Sequence, residues 1–238
     1  MSAYIHTEDT HNIKAAEIIL PLVFKFSYAN SIVDIGCGIG TWLSVANSLG
    51  IRDLKGVDGD YVAKDLLEKH LNLDSFLAAD LSLPLALDRR FDLALCLEVA
   101  EHLPESSARN LVNSLVKCSD VILFSAAIPG QGGQNHINEQ WPDYWAQLFE
   151  EHDYVFLDII RSLIWDNPNV DFWYKQNIFL VVNNNHELAS KYPISHLPLV
   201  HPELLDRVGQ DKEKDINSLK KQLAIHPIKR WIRSIIKY

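Results

Sequence analysis

Apolar positions along the chain change their spacing at regular intervals, which predicts alternating strands and helices. Residues 31–35 form a short β-branched run typical of a buried strand, whereas residues 12–27 place their apolar side chains on one face of a helix. Further strands are predicted at 54–58, 75–80, 91–97 and 121–125, with helical patterns at 41–49, 61–70 and 105–117 between them. This alternation predicts a parallel sheet with helices on both faces.

The pattern changes after residue 125. A helix is predicted at 141–151, and two extended runs follow at 154–165 and 176–182, joined by an Asn, Pro and Asp segment of the kind that hairpins use. The fold class is therefore α/β, a doubly wound sheet of seven strands that is mostly parallel with an antiparallel pair at one edge. We expect residues 1–183 to form this domain, and residues 184–238, which contain Pro193, Pro198 and Pro202, to form a linker and a helical tail.

Composition is that of a soluble protein. The chain has 238 residues, of which 47% are hydrophobic, so it can bury a complete core. Its three cysteines are scattered and form no C-x-x-C pair, which favours a reducing cytoplasm. The amino terminus lacks the basic and apolar regions of a signal peptide, and the apolar run at 18–24 is too short to span a bilayer. We therefore expect a cytoplasmic protein.

Charge is distributed unevenly along the chain. Residues 212–238 hold eight Lys or Arg against two Asp or Glu, a net of +6, so residues 1–211 carry −15 where the whole chain carries −9. An acidic body of this kind argues against nucleic acid as a partner. In the tail, Ile228, Trp231 and Ile235 follow helical spacing, with basic residues mainly on the other faces. This pattern is typical of a helix lying at the inner face of a membrane, and also of one that packs on its own domain or on a second subunit.

A glycine-rich turn follows the first strand, in the pattern D-x-G-x-G-x-G. Gly36, Gly38 and Gly40 let the backbone take φ > 0 and let a ligand approach closely, and the helix after them points free N–H groups at the turn. The dinucleotide fingerprint G-x-G-x-x-G needs a glycine where this chain has Thr41, and Asp34 would repel a pyrophosphate but attract a cationic amino group. The turn predicts a neutral or partly cationic ligand, and the alternative is an ordinary glycine-rich turn.

This turn resembles the cofactor site of class I S-adenosylmethionine-dependent methyltransferases, whose fold is Rossmann-like. The resemblance implies S-adenosylmethionine as the cofactor, with its methionine end held by Asp34 and the glycines of the turn, in which Cys37 is a small filler. It also implies that Asp58 accepts hydrogen bonds from both ribose hydroxyls, and that Asp80 and the neighbouring amide of Leu81 contact the adenine. Each acid could instead be a solvated residue at a strand end or a helix cap.

A second motif, Glu98-Val-Ala-Glu101-His102, comes directly after the fourth strand. If a helical turn begins at Glu98, the i, i+3 and i+4 positions put both carboxylates and the imidazole on one face. These groups are ligands for a divalent ion such as Mg²⁺, Mn²⁺ or Zn²⁺, which would lower the pKa of an acceptor hydroxyl. The motif resembles that of ubiquinone-pathway O-methyltransferases and of small-RNA 2′-O-methyltransferases, where it binds a metal. In other methyltransferases the glutamate lines the cofactor pocket and the histidine begins a helix.

His136 lies in a glycine-rich segment after the fifth strand. Such a loop could close on a substrate, and a neutral histidine could take a hydroxyl proton or complete the metal site. His136 is therefore the first candidate for a catalytic base, with His102 as the second, and packing or capping of the loop is the alternative. The stretch H-I-N-E-Q-W around it resembles methyltransferases of surface-polysaccharide synthesis.

These features predict an S-adenosylmethionine-dependent methyltransferase that is O-directed and acts on a small-molecule acceptor or on one linked to a glycan or glycolipid. An RNA methyltransferase and a non-catalytic binding module on the same fold are the alternatives. The acidic body disfavours the first of them, and the intact acids and glycines disfavour the second.

Overall fold

The computed structural model describes Tyr4 and residues 12–225, and the chain divides into two compact units between Leu199 and Val200. The amphipathic helix predicted at 228–236 lies outside the described residues, so its role at a membrane, on the domain or in a dimer stays a prediction. Among the residues that are described, no helix is long and apolar enough to cross a membrane.

A seven-stranded sheet forms the centre of the first unit, in the order β3-β2-β1-β4-β5-β7-β6. Strands β1 to β5 are mutually parallel, and β7 runs antiparallel to both of its neighbours, β5 and β6. The predicted fold class and strand number are confirmed. The strands are β1 (Ser31–Ile35), β2 (Asp53–Asp58), β3 (Phe76–Ala78), β4 (Leu93–Leu97), β5 (Val121–Ser125), β6 (Tyr154–Leu157) and β7 (Phe179–Asn183).

Helices cover both faces of this sheet, and its central strands are therefore buried on both sides. Alternate residues of β1 point into two different cores: Ile32 packs in the core that α1 and α2 supply, whereas Val33 and Ile35 pack in the core that α4 and α5 supply. The helices are α1 (Lys14–Phe26), α2 (Thr41–Ser48), α3 (Lys64–Leu67), α4 (Ala108–Cys118), α5 (Pro142–Glu150), α6 (Arg161–Ile164), α7 (Phe172–Asn177) and α8 (Glu187–Lys191).

The connection between β6 and β7 differs from the predicted hairpin. The extended run expected at 154–165 ends at Leu157, and α6 and α7 occupy the space between the two strands. Arg161 explains the change: its side chain is 1% exposed, pairs with Asp158 and donates to the main-chain oxygens of Gln176 and Leu197. A buried guanidinium requires these partners, and a continued strand would not bring them together.

The second unit contains one described helix, α9, which spans Pro202–Ile225. Its described surface is mostly exposed, including Leu205, Ile216 and Leu219.

Candidate active site

The glycine turn adopts the conformation that its sequence predicts. Gly36, Gly38 and Gly40 have φ values of +85°, +52° and +82°, which are left-handed. The N–H groups of Gly36 and Cys37 both donate to the carbonyl of Val57, at 2.7 and 3.2 Å, so the turn is fastened to β2. Helix α2 begins directly after Gly40 and directs its first N–H groups towards the turn.

Asp58 lies at the end of β2 and holds the turn from the other side. Its carboxylate accepts hydrogen bonds from the N–H of Gly38 at 2.7 Å, the N–H of Gly59 at 2.6 Å and the hydroxyl of Tyr61 at 2.9 Å. The residue is 4% exposed. A carboxylate fixed by backbone donors at a strand end is a rigid hydrogen-bond acceptor beside the turn.

Asp34 lies beneath the same turn and is 3% exposed. Burial raises its pKa to about 8, and the charge of Asp58 adds to the effect. Taking a proton off Asp34 is therefore unfavourable in the free protein, and a cation placed nearby would make it favourable.

Three other predicted cofactor residues occupy different environments. The Cys37 Sγ atom packs so close to Gly56 that a Cβ there would stand 2.9 Å from it, and burial raises the pKa of the thiol, so Cys37 is a packing residue. Asp80 follows β3 on the surface, where its carboxylate accepts hydrogen bonds from the N–H and hydroxyl of Ser82. Leu81 is buried.

Glu98 directly follows β4, but the helical turn expected to begin there does not form. Its φ is +54°, a left-handed value that is uncommon outside glycine, and a 3₁₀ turn begins only at Ala100. The side chain accepts hydrogen bonds from Gln131 Nε2 at 2.8 Å and Asn177 Nδ2 at 3.1 Å. Burial raises the pKa of Glu98, although these amides lower it in part.

Sequence reasoning missed the amides that hold Glu98. Asn177 Nδ2 also donates to Gln131 Oε1 at 2.8 Å, and Gln176 Nε2 donates to the same oxygen at 3.2 Å. All three amide residues are buried. The only signal was the pair Gln176-Asn177 at the start of the extended run predicted at 176–182, and it gave no indication of a partner.

Glu101, His102 and His136 form the group that the sequence predicted, without Glu98. One ligand atom from each of the three lies within 4.8 Å of the others. The rings of His102 and His136 meet edge to face, with centroids 4.9 Å apart. Glu101 is fully buried, and burial raises its pKa well above the ordinary value, with the charge of Glu98 adding to the effect.

The carboxylate of Glu101 is the unusual member of this group. Neither of its oxygens accepts a hydrogen bond of ordinary geometry from the residues that the structure describes, although the side chain of Glu98 and the backbone of Ala127 lie close enough to affect its pKa. A buried carboxylate is costly unless it is paired, bonded or bound to a cation. The chemistry of the three side chains, one carboxylate and two imidazoles, fits a divalent transition metal or Mg²⁺.

His136 reaches this group because its loop docks on the 3₁₀ turn. The main-chain oxygen of Glu101 accepts the N–H groups of Ile137 and Asn138, at 2.9 and 3.0 Å. The loop and the turn are therefore one hydrogen-bonded assembly, and the side chain of Ile137 remains 54% exposed beside it.

Tyr4 also lies at the site, although the first ten residues gave no such indication. Its ring meets the ring of His102 edge to face at a centroid distance of 5.0 Å. Burial raises the pKa of Tyr4, and the charges of Glu101, Glu98 and Asp58 add to the effect. Tyr4 therefore stands near both the glycine turn and the Glu101 group.

Comparisons with known proteins agree with this architecture. The model of the family described as Methyltransferase domain matches residues 9–173 of the chain. A search of curated proteins finds no match. Among solved structures, the methyltransferase domain of bacterial CtHen1-CN is 18% identical with a TM-score of 0.54, and the alignment covers 72% of this chain and 100% of that one.

Two other solved structures are similar at the level of the fold. The plantazolicin methyltransferase BpumL, determined in complex with SAH, is 19% identical with a TM-score of 0.52, over 74% of this chain and 87% of that one. PH1948 from Pyrococcus horikoshii is 15% identical with a TM-score of 0.51, over 73% of this chain and 83% of that one. At these identities the likeness demonstrates a shared fold.

Proposed function

We propose, from the premise that the chain belongs to the methyltransferase domain family, that it transfers a methyl group from S-adenosylmethionine to an oxygen of its acceptor. The observation that carries this proposal is the pairing of Asp58 with Gly38 at 2.7 Å, beside a left-handed glycine turn. Such a site offers a rigid carboxylate for two ribose hydroxyls, one of which would replace the Tyr61 hydroxyl, and an open backbone for the rest of the ligand.

The charges at the turn favour S-adenosylmethionine over a dinucleotide. Asp34 and Asp58 place two buried carboxylates where a pyrophosphate would have to lie. A phosphate would be repelled by Asp58 and would keep Asp34 protonated, whereas the amino cation of a methionine moiety would favour the ionised form of Asp34 and pair with it. Asp80 and Leu81 are the proposed adenine contacts. To contact the adenine, Asp80 would have to give up the hydrogen bond that it now accepts from Ser82.

Glu101, His102 and His136 are the residues that would hold a divalent ion such as Mg²⁺, Mn²⁺ or Zn²⁺. Their fit rests on the grouping of ligand atoms within 4.8 Å and on the buried carboxylate of Glu101. When bound, the ion would supply a Lewis acid that lowers the pKa of an acceptor hydroxyl. Glu98, bonded to Gln131 and Asn177, serves in this proposal as a wall of the cofactor pocket.

Methyl transfer itself requires little covalent chemistry from the protein. The acceptor oxygen attacks the methyl carbon, the bond from that carbon to sulfur breaks, and the sulfonium becomes the neutral thioether of S-adenosylhomocysteine. In a site without the ion, the hydroxyl proton passes to a neutral imidazole, for which His136 is the proposed base and His102 the second candidate; a nitrogen that binds the ion cannot also take this proton. The glycine turn and Asp58 contribute by holding the methyl donor in line.

A neutral acceptor fits the surroundings best. Five carboxylates lie at the site, namely Asp34, Asp58, Glu98, Glu101 and Glu139. The arginine ion pairs of the first unit are made with other carboxylates, which are Asp53, Asp120, Glu151 and Asp158. Because burial favours the protonated forms of Asp34, Glu98 and Glu101, a polyanion is disfavoured here mainly because the arginine ion pairs of the first unit are made elsewhere. We therefore place a small molecule or a glycan- or glycolipid-linked acceptor before RNA, with the exposed Ile137 and the ring of Tyr4 as its apolar contacts.

Two measurements test this function. Calorimetry with S-adenosylhomocysteine and with NAD should give binding of the first only. Incubation with S-adenosylmethionine labelled in the methyl group should then transfer label to a lipid-linked glycan fraction or to a small-molecule extract. Transfer to purified tRNA alone would replace the proposed acceptor class, and binding of NAD in place of S-adenosylhomocysteine would overturn the proposal.

A further inference from the structure

Glu139 makes three polar contacts at the site, and no sequence motif indicated them. Its side chain is 19% exposed, and its two oxygens serve three partners. Oε2 accepts the N–H of Gly130 at 2.7 Å, Oε1 accepts the N–H of Gly132 at 2.7 Å, and Oε1 also lies 2.9 Å from Nδ1 of His136. One carboxylate therefore connects a backbone loop to a candidate catalytic histidine.

The contact with His136 constrains where the ring carries its proton. A carboxylate can only accept hydrogen bonds, so Nδ1 must be the donor. A neutral His136 then has its lone pair on Nε2, the form required of a base or a metal ligand at that atom. The Nε2 end of the ring packs against Gly133, where an added Cβ would stand 2.2 Å from Nε2, so the backbone leaves room for this orientation only because residue 133 is glycine.

The contact of Glu139 with the loop also influences the position of Glu98. Gly130 and Gly132 have φ values of +89° and +66° and flank Gln131, whose side chain donates to Glu98. By fixing the N–H groups on both sides of Gln131, Glu139 also fixes the amide that holds Glu98. The carboxylate of Glu139 thus holds His136 directly and Glu98 through Gln131.

We propose that Glu139 is a positioning residue that keeps the proton of neutral His136 on Nδ1. The lone pair on Nε2 is then available either to take the proton of the substrate hydroxyl or to bind a metal. This inference deepens the proposed function and rests on the role of His136 in it. A brace that only stabilises the loop would make the same bonds to Gly130 and Gly132 but would have no effect on the tautomer of the imidazole.

The experiment is two-bond ¹H–¹⁵N NMR of protein with ¹⁵N-labelled histidine, free of metal, at pH 8.5, about two units above the ordinary pKa of a histidine side chain. His136→Gln assigns the signal of His136 by difference. In the unaltered protein we expect a protonated Nδ1 and an unprotonated Nε2. In Glu139→Gln, which keeps the size but loses the charge, we expect a mixture of tautomers, and the control Glu150→Gln, on the exposed face of α5, should keep the original pattern.

Activity provides the second readout. Glu139→Gln should lower kcat by about 10- to 100-fold, as is usual for a partner of a catalytic or ligating histidine, and should change KM for S-adenosylmethionine less, because Glu139 reaches Glu98 only through Gln131. A protonated Nε2 in the unaltered protein, or an unchanged tautomer in Glu139→Gln, would overturn the inference. If His136 has the expected tautomer but the protein transfers no methyl group, the proposed function is refuted while Glu139 still sets the tautomer. Failure of the inference and failure of the proposed function therefore give different results.

Discussion

The N–H of Gly38 donates a 2.7 Å hydrogen bond to Oδ2 of Asp58, which joins the glycine turn to the end of the neighbouring strand. The acid proposed to recognise the ribose is therefore the same acid that shapes the turn around the rest of the ligand. Loss of this side chain removes a ligand contact and leaves a backbone donor of the turn without its charged partner.

Asp58→Ala should weaken the binding of S-adenosylhomocysteine by about 1–3 kcal/mol, because two ribose hydroxyls lose a charged acceptor. Calorimetry measures this effect, and a thermal melt shows how much arises from loosening of the turn. Asp65→Ala, an exposed residue of α3, is the matched control. Equal affinities in the two variants would remove Asp58 from the site.

Binding of S-adenosylhomocysteine should release a proton at pH 7. With a pKa of about 8, Asp34 is roughly nine-tenths protonated in the free protein at that pH, and the incoming amino cation favours its ionised form. Affinity should therefore rise as pH increases from 6 towards 8. Calorimetry in buffers of different ionisation enthalpy measures the release, which should vanish in Asp34→Asn; release that persists in that variant would assign the proton to another group.

Gly36→Ala should destabilise the fold by about 2–5 kcal/mol, since it combines a left-handed backbone with a clash. A Cβ at Gly36 would stand 2.2 Å from Cγ2 of Val99. Gly50→Ala separates the backbone strain from the clash, because Gly50 has φ +101° and open space around it. Only backbone strain of about 1 kcal/mol is therefore expected there.

Chemical denaturation measures both free energies of unfolding, and the double variant Gly36→Ala with Val99→Ala tests the cause. Removal of the Val99 side chain should restore part of the stability lost at Gly36. If the double variant is less stable by the full sum of the two single changes, the clash does not explain the loss.

Exhaustive chelation should abolish methyl transfer, and added Mg²⁺, Mn²⁺ or Zn²⁺ should restore it. Glu101→Gln should reduce activity by about 100-fold through loss of a ligand, whereas Glu105→Gln, an exposed residue nearby, should not. Elemental analysis of the purified protein accompanies the assay. Full activity in a protein without detectable metal would leave His136 as a plain base.

Tyr4→Ala should raise KM for the acceptor about 3- to 10-fold and leave the affinity for S-adenosylhomocysteine unchanged, because the ring lies against His102 on the proposed acceptor side. Tyr4→Phe keeps the ring and should behave like the unaltered protein. Tyr28→Ala, where the ring is 65% exposed, is the control. A change in cofactor affinity would place Tyr4 at the cofactor instead.

Strand ends were predictable from the sequence because their signals are local. A β-branched run followed by an acid and glycines identifies Asp34 and its turn, and the same logic placed Asp58 and the Glu101 motif. The conformation of Glu98 was not predictable, since it depends on amides that are 33 and 79 residues away. Arg161 is similar: its partners, not its neighbours in sequence, turn an expected strand into a helix.

The reversed direction of β7 has a consequence for how the protein matures. Because β7 runs opposite to β5, Phe179 pairs with Phe124 near the end of β5, and Asn177, two residues before β7, reaches Glu98 there. During synthesis the five parallel strands precede it, and Glu98 lacks its Asn177 partner until the chain beyond residue 177 has left the ribosome and joined the sheet. Cofactor affinity should therefore develop at the last step of folding, and nascent chains that end before β7 should fail to be retained on immobilised S-adenosylhomocysteine.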